Sequence, residues 1–204
     1  MSLKKFSELF VDLDSSNSTN NKIEVLKNYF FSNDPIDNSW AIYLLTGKSN
    51  KRFISGRYLK NLFSQIYEYP VWLIDTCYLK VGDSAEVITL LLKNKSTSRK
   101  KELSNISLNE LLSKTIPDLS KLNEEEKNLQ IKNIWERLPE DYHLIFNKIL
   151  TGTFRVGVSI GLITKSISKL INIDEEIISH RLMGNFKPSI DSYEFLINKN
   201  INLQ

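Results

Sequence analysis

The feature that most limits what this chain folds into is its punctuation. Helix-start and helix-stop signals recur from one end of the 204 residues to the other. No segment alternates apolar and polar residues like a half-buried strand, and no Asn-Gly hairpin turn occurs. Leu3, Phe6, Leu9, Phe10 and Leu13 share one face of a first helix, closed by the polar run Asp14 to Asn21; a second is predicted over Lys22 to Phe31. Asp34 supplies a capping acid before Pro35 and Gly47 a stop, which predicts a helix over Pro35 to Thr46. Ser55 begins another that ends ahead of Pro70, and Val71 to Leu79 reads as a short one. Capping-box spacings at Asp83 and Glu86, Ser107 and Glu110, and Asn123 and Glu126 open three more helices. Pro139 opens one that runs to Thr151, with Ser159 to Leu170 and Glu175 to Met183 after it. The expected fold class is all-α, a compact multi-helix domain of about 10–12 helices.

A hydrophobic content of 41% suffices for a sizeable core. The single cysteine, Cys77, excludes an internal disulfide, and His143 and His180 are too far apart for a zinc motif. No apolar run approaches the roughly 20 residues that span a bilayer, and the first residues are not a signal sequence. The expected setting is cytoplasmic and nucleoid-associated, away from membranes. Charge is arranged in blocks. Asn38 to Tyr67 has no acid but contains Lys48, Lys51, Arg52, Arg57 and Lys60. Val87 to Lys101 contains Lys93, Lys95, Arg99, Lys100 and Lys101, and Tyr142 to Ile173 contains Lys148, Arg155, Lys165 and Lys169. These blocks hold fourteen positive charges in a chain of net charge +3, so the remainder carries −11. Such separation points to a polyanionic partner, while solvated helix faces would give the same pattern.

An internal echo bears on architecture. Tyr43-Leu-Leu-Thr-Gly-Lys48 returns 105 residues later as Lys148-Ile-Leu-Thr-Gly-Thr153. Each copy closes a helix in Leu-Thr-Gly, followed by an arginine (Arg52, Arg155) and then a serine at the next helix start (Ser55, Ser159). Real duplication predicts two related halves about an approximate two-fold axis, joined by the basic, Ser-rich segment Lys93 to Ser104, with both basic turns on one surface.

Few constellations carry chemistry. Gly47-Lys48-Ser49 is not a phosphate loop, because Ile42 stands where that motif needs glycine and the preceding element is a helix. Neither histidine belongs to a triad pattern, and the acids Glu124, Glu125 and Glu126 suit the first turn of a helix. The segment Leu150-Thr-Gly-Thr-Phe-Arg-Val-Gly-Val-Ser159 differs. Gly152 and Gly157 permit close approach of main chain to a ligand, the next helix offers free amides, and Arg155 adds charge. A plain helix-turn-helix corner is the alternative.

Three segments in order resemble the N-terminal domain of ATP-dependent DNA ligases of the bacterial and archaeal type. They are Trp40-Ala-Ile-Tyr-Leu-Leu-Thr-Gly-Lys48 with Arg52; Trp72-Leu with Cys77-Tyr-Leu-Lys-Val-Gly-Asp-Ser-Ala-Glu86; and Lys148-Ile-Leu-Thr-Gly-Thr-Phe-Arg-Val-Gly-Val-Ser159. The resemblance spans about residues 4 to 185. It implies a helical domain that binds the minor groove around a nick through the DNA backbone. By it, Gly152, Thr153, Phe154, Arg155 and Gly157 are DNA contacts, and Gly82 and Asp83 match a second family turn. With the basic turns and the helix start at Ser159, the candidate DNA-binding set is Lys48, Arg52, Arg57, Gly82, Asp83, Gly152, Thr153, Phe154, Arg155, Gly157, Ser159 and Lys165.

The resemblance implies a domain at residues 1–185 and, at 186–204, a linker toward an adenylation domain. Lys-x-Asp-Gly, which carries the AMP-accepting lysine in that family, is absent from the sequence. This chain is thus expected not to ligate and to need no cofactor itself, ATP and magnesium belonging to the parent enzyme. The expected partner is nicked double-stranded DNA, held by a monomer. Two rivals remain from the residues alone: a helical scaffold for acidic proteins, served equally by lysine blocks, and a helix-turn-helix regulator. The apolar helix Ile160, Gly161, Leu162, Ile163, Ile167 leaves the regulator few side chains for base edges.

Overall fold

The computed structural model describes residues 2–48, 52–93, 95, 102–184 and 186–199. Lys51, Arg99, Lys100 and Lys101 of the basic blocks, most of the Lys93 to Ser104 connection, Asn185 and residues 200–204 lie outside them. The helices are α1 (Ser2–Ser15), α2 (Thr19–Ser32), α3 (Pro35–Leu45), α4 (Gly56–Tyr67), α5 (Val71–Val81), α6 (Ser84–Lys93), α7 (Leu108–Glu110), α8 (Ile116–Lys121), α9 (Glu124–Arg137), α10 (Glu140–Thr151), α11 (Ile160–Ile171), α12 (Glu175–Met183) and α13 (Ile190–Ile197). A π-helical turn, Leu111–Thr115, joins α7 to α8. Counting that stretch as one rod gives twelve helices, with no strand, among the described residues.

Capping chemistry sets most boundaries. Asn123 and Glu126 form a complete capping box at α9. Ser18 accepts the Asn21 amide and starts α2 at Thr19, earlier than the predicted Lys22, because its side chain satisfies one of the free amides of the first turn. Two expected caps differ. Asp34 makes no side-chain cap; its carbonyl accepts the Asn38 amide at 2.9 Å. Asp83 accepts the Ala85 and Glu86 amides at 2.8 and 3.1 Å, but Glu86 turns away to Lys148 rather than reaching back. The π turn precedes Pro117, which has no amide to donate and whose ring crowds the preceding turn; the wider register accommodates it.

Helix α10 is central: α6 and α1 both pack on it, α4 and α5 pack on α6, and α11 packs on α2 and α12. Trp135 and Phe146 are fully buried there. A buried polar chain ties α9, α10 and α6 together: Trp135 Nε1 donates to Asn147 Oδ1 at 2.9 Å, and Asn147 Nδ2 to Thr89 Oγ1 at 3.0 Å. Beyond residue 185, α13 packs on α3 and α12. Phe186, Tyr193 and Leu196 are buried in the same core, Tyr193 accepts from Asn38 Nδ2 at 3.0 Å, and Arg181 donates to the carbonyls of Leu196 and Asn198. Residues 186–197 therefore belong to the helical body. Burial pushes the Tyr193 phenol up to about 12 despite that amide contact.

Candidate nucleic-acid interface

The two Leu-Thr-Gly copies are local counterparts. Gly47 and Gly152 adopt left-handed φ of 69° and 67°, a conformation that costs other L-residues about 1–2 kcal/mol. Thr46 and Thr151 each donate to the carbonyl four residues back, at 2.7 and 2.9 Å. Ser55 and Ser159 each cap the helix that follows. The turns also meet: the amides of Phe53 and Ile54 both donate to the Leu150 carbonyl, at 3.0 and 2.9 Å. A Cβ on Gly152 would stand 3.5 Å from Arg52 Cα, so the glycine serves both its own φ and the approach of the first basic turn.

Beside this junction lies a polar cleft of about 390 Å³. Arg52, Arg57, Lys60, Gly82, Asp83 and Thr153 contribute to its lining. The starts of α4 and α6 converge on it, and a Cβ on Gly56 would come within 2.6 Å of Ser84 Oγ. Ser55 Oγ takes the Tyr58 amide at 3.0 Å and the Ser55 carbonyl takes the Leu59 amide, so the amides of Gly56 and Arg57 are left for a ligand. Open amides at a helix start, with the positive end of its dipole and the guanidinium groups of Arg52 and Arg57 nearby, suit phosphate oxygens. Gly82 closes α5 at φ 80° and faces open space.

The second turn is built differently. Phe154 is half-buried, its ring 6.3 Å from that of Phe6 and 6.1 Å from that of Phe10, which anchors the turn to the core. Arg155, Gly157 and Ser159 are exposed around buried Val156. Lys22 Nζ reaches across from α2 to the Val156 carbonyl at 2.7 Å and holds the turn in place. Lys165 projects from α11 into solvent. None of Arg52, Arg57, Arg155 and Lys165 forms an ion pair with another described residue.

Thus Arg52, Arg57, Gly82, Asp83 and Thr153 share one cleft, with Gly152 at its edge. Three residues of the basic blocks are used internally, of which Lys60 pairs with Asp75 and lies over the Tyr78 ring at 4.5 Å. Lys48 donates to the carbonyls of Leu182 and Gly184 at 2.6 and 2.9 Å, capping the end of α12. Lys148, counted in the third basic block, is buried and bonds Asp83 Oδ2 at 2.9 Å and Glu86 Oε1 at 2.7 Å. Lys60, Gly56 and Lys22 are additions that sequence did not single out. Lys60 lay within an acid-free block and Gly56 beside the Ser55 cap, but nothing local in the sequence signals a contact 134 residues away for Lys22.

The family described as DNA ligase N terminus matches residues 2–179 of the chain. No curated protein matches it.

Proposed function

The chain belongs to the family of DNA ligase N-terminal domains, and from that premise we propose that it grips nicked duplex DNA as a monomer. Contacts run to the sugar-phosphate backbone and the minor groove, so specificity is for structure rather than base sequence. The observation that carries this reading is the meeting of the two basic turns beside a cleft that joins Arg52 and Arg57, neither of them ion-paired with a described residue, to the open amides of α4. Cations there displace counterions from phosphates, and the helix start orients individual phosphate oxygens. An adenylation domain of the same parent protein, using ATP and magnesium, supplies the sealing chemistry; this chain supplies affinity and position.

Fluorescence anisotropy with nicked duplex, intact duplex, single strand and an acidic peptide, each titrated across salt, tests the proposal. The expected result is duplex binding with a log–log salt slope of about −4 to −7, corresponding to roughly five to eight neutralised phosphates. Arg155→Ala and Arg57→Ala are each expected to weaken binding alike across DNA sequences and to flatten the slope by about one unit. Absence of duplex binding at low salt, with the peptide bound instead, would sink the proposal and favour an acidic-protein scaffold.

A further inference from the structure

The acids that balance the basic blocks are themselves gathered at a groove. Helices α1 and α6 both pack on α10 rather than on each other, which leaves a furrow between them. Two contiguous cavities of about 470 and 300 Å³ occupy it, sharing Val11, Thr89, Lys93 and Leu144 in their linings. The furrow follows α1 from Lys4 to Ser15, eleven residues on, and at the 1.5 Å rise of a helix this is about 16 Å, or three helical turns.

Its walls carry apolar surface that the fold leaves in water. Val11 on α1 is 55% exposed and Leu90 on α6 is 52% exposed, with Leu144 of α10 half-buried between them. The rim is acidic. Asp12 and Asp14 on α1 and Glu140 and Asp141 on α10 line the cavities, and none forms an ion pair among the described residues. Of the two lysines along the furrow, Lys4 faces Glu8 at 3.7 Å, leaving Lys93 as the cation at one end. The net charge is therefore opposite to that of the DNA-facing cleft, and duplex would be repelled. The apolar surface lies at the middle of the furrow, where the two cavities meet at Val11 and Leu144, and between carboxylate rims it matches a helix with leucine-like residues at i, i+3, i+4 and i+7 and lysine or arginine on its flanks.

We propose that the furrow between α1 and α6 is a docking groove for a basic amphipathic helix of a partner protein. The end of the furrow at Lys93 and the start of α10 lies away from Ser84 and Thr151, which line the DNA-facing cleft, whereas its other end reaches Glu86, which shares Lys148 with Asp83 of that cleft.

The test uses this chain and a fluorescein-labelled peptide of roughly 14 residues with that apolar spacing and lysines elsewhere, beside a scrambled peptide of identical composition. Binding at least about 10-fold tighter for the amphipathic peptide is expected, because apolar anchors carry most of the energy of such contacts. Amide shifts in ¹⁵N spectra are expected at Val11, Leu90 and Leu144. The pair Leu90→Lys and Asp12→Lys, both at exposed positions, is expected to weaken peptide binding about 10-fold while nicked-duplex binding and the thermal midpoint hold. Asp141→Asn is a milder variant, expected to soften the salt dependence of peptide binding alone. Equal affinity for the scrambled peptide, shifts away from the furrow, or indifference to the two lysine substitutions would each overturn the proposal. None of these outcomes bears on the duplex titration, so the two proposals fail separately.

Discussion

At the scale of single residues, Lys148 shows how a charge can belong to the fold instead of the surface. It is 3% exposed, and its ammonium bonds Asp83 and Glu86 while facing the Phe10 ring at 5.8 Å. A cation this deep persists only because two carboxylates answer it. Asp83 therefore has three tasks: it caps α6, binds Lys148 and lines the cleft. Replacing the lysine with a neutral chain of similar length leaves two carboxylates facing each other. Lys148→Met is expected to lower stability by about 3 kcal/mol, the low end of the range for breaking a buried pair, because both acids reach water. Urea denaturation measures it, and an unchanged midpoint would show that the triad does not hold α10 to α6.

At the scale of elements, the cleft depends on how closely two helix starts approach. Gly56 lets α4 lie against Ser84 of α6, where a Cβ would meet Ser84 Oγ at 2.6 Å and Ser84 Cβ at 3.0 Å. Gly56→Ala is thus expected to cost about 1–3 kcal/mol as an overpacked contact. It should also weaken nicked-duplex binding by parting the amides of α4 from the cations beside them. Adding Ser84→Ala removes the nearest atom and is expected to restore part of both losses. A thermal melt alongside the anisotropy titration checks this. Full binding by the single variant would show that the spacing of the two helix starts is not what receives the phosphate.

At the scale of the whole molecule, the core extends past the end of the family match at residue 179. Phe186, Tyr193 and Leu196 are buried, and Arg181 binds the last carbonyls of α13. Burying each such side chain contributes about 1.5–3 kcal/mol. Ending the chain at residue 185 is therefore expected to remove on the order of 5 kcal/mol of stability and to lower the thermal midpoint markedly. An unaltered melt would mean that α13 is an appendage.

The all-helical class, the helix starts at Ser55, Ser107, Asn123 and Ser159, and the two left-handed glycine stops were legible in the sequence. Caps and periodic faces act between residues three or four apart, so local composition determines them. The meeting of Arg52 with Gly152, the burial of Lys148, the diversion of Lys48 to α12 and the hold of Lys22 on the second turn join residues 62 to 136 positions apart. Those pairings depend on which helix faces pack together, and only the tertiary structure decided which basic residues face solvent and which are used to hold the fold.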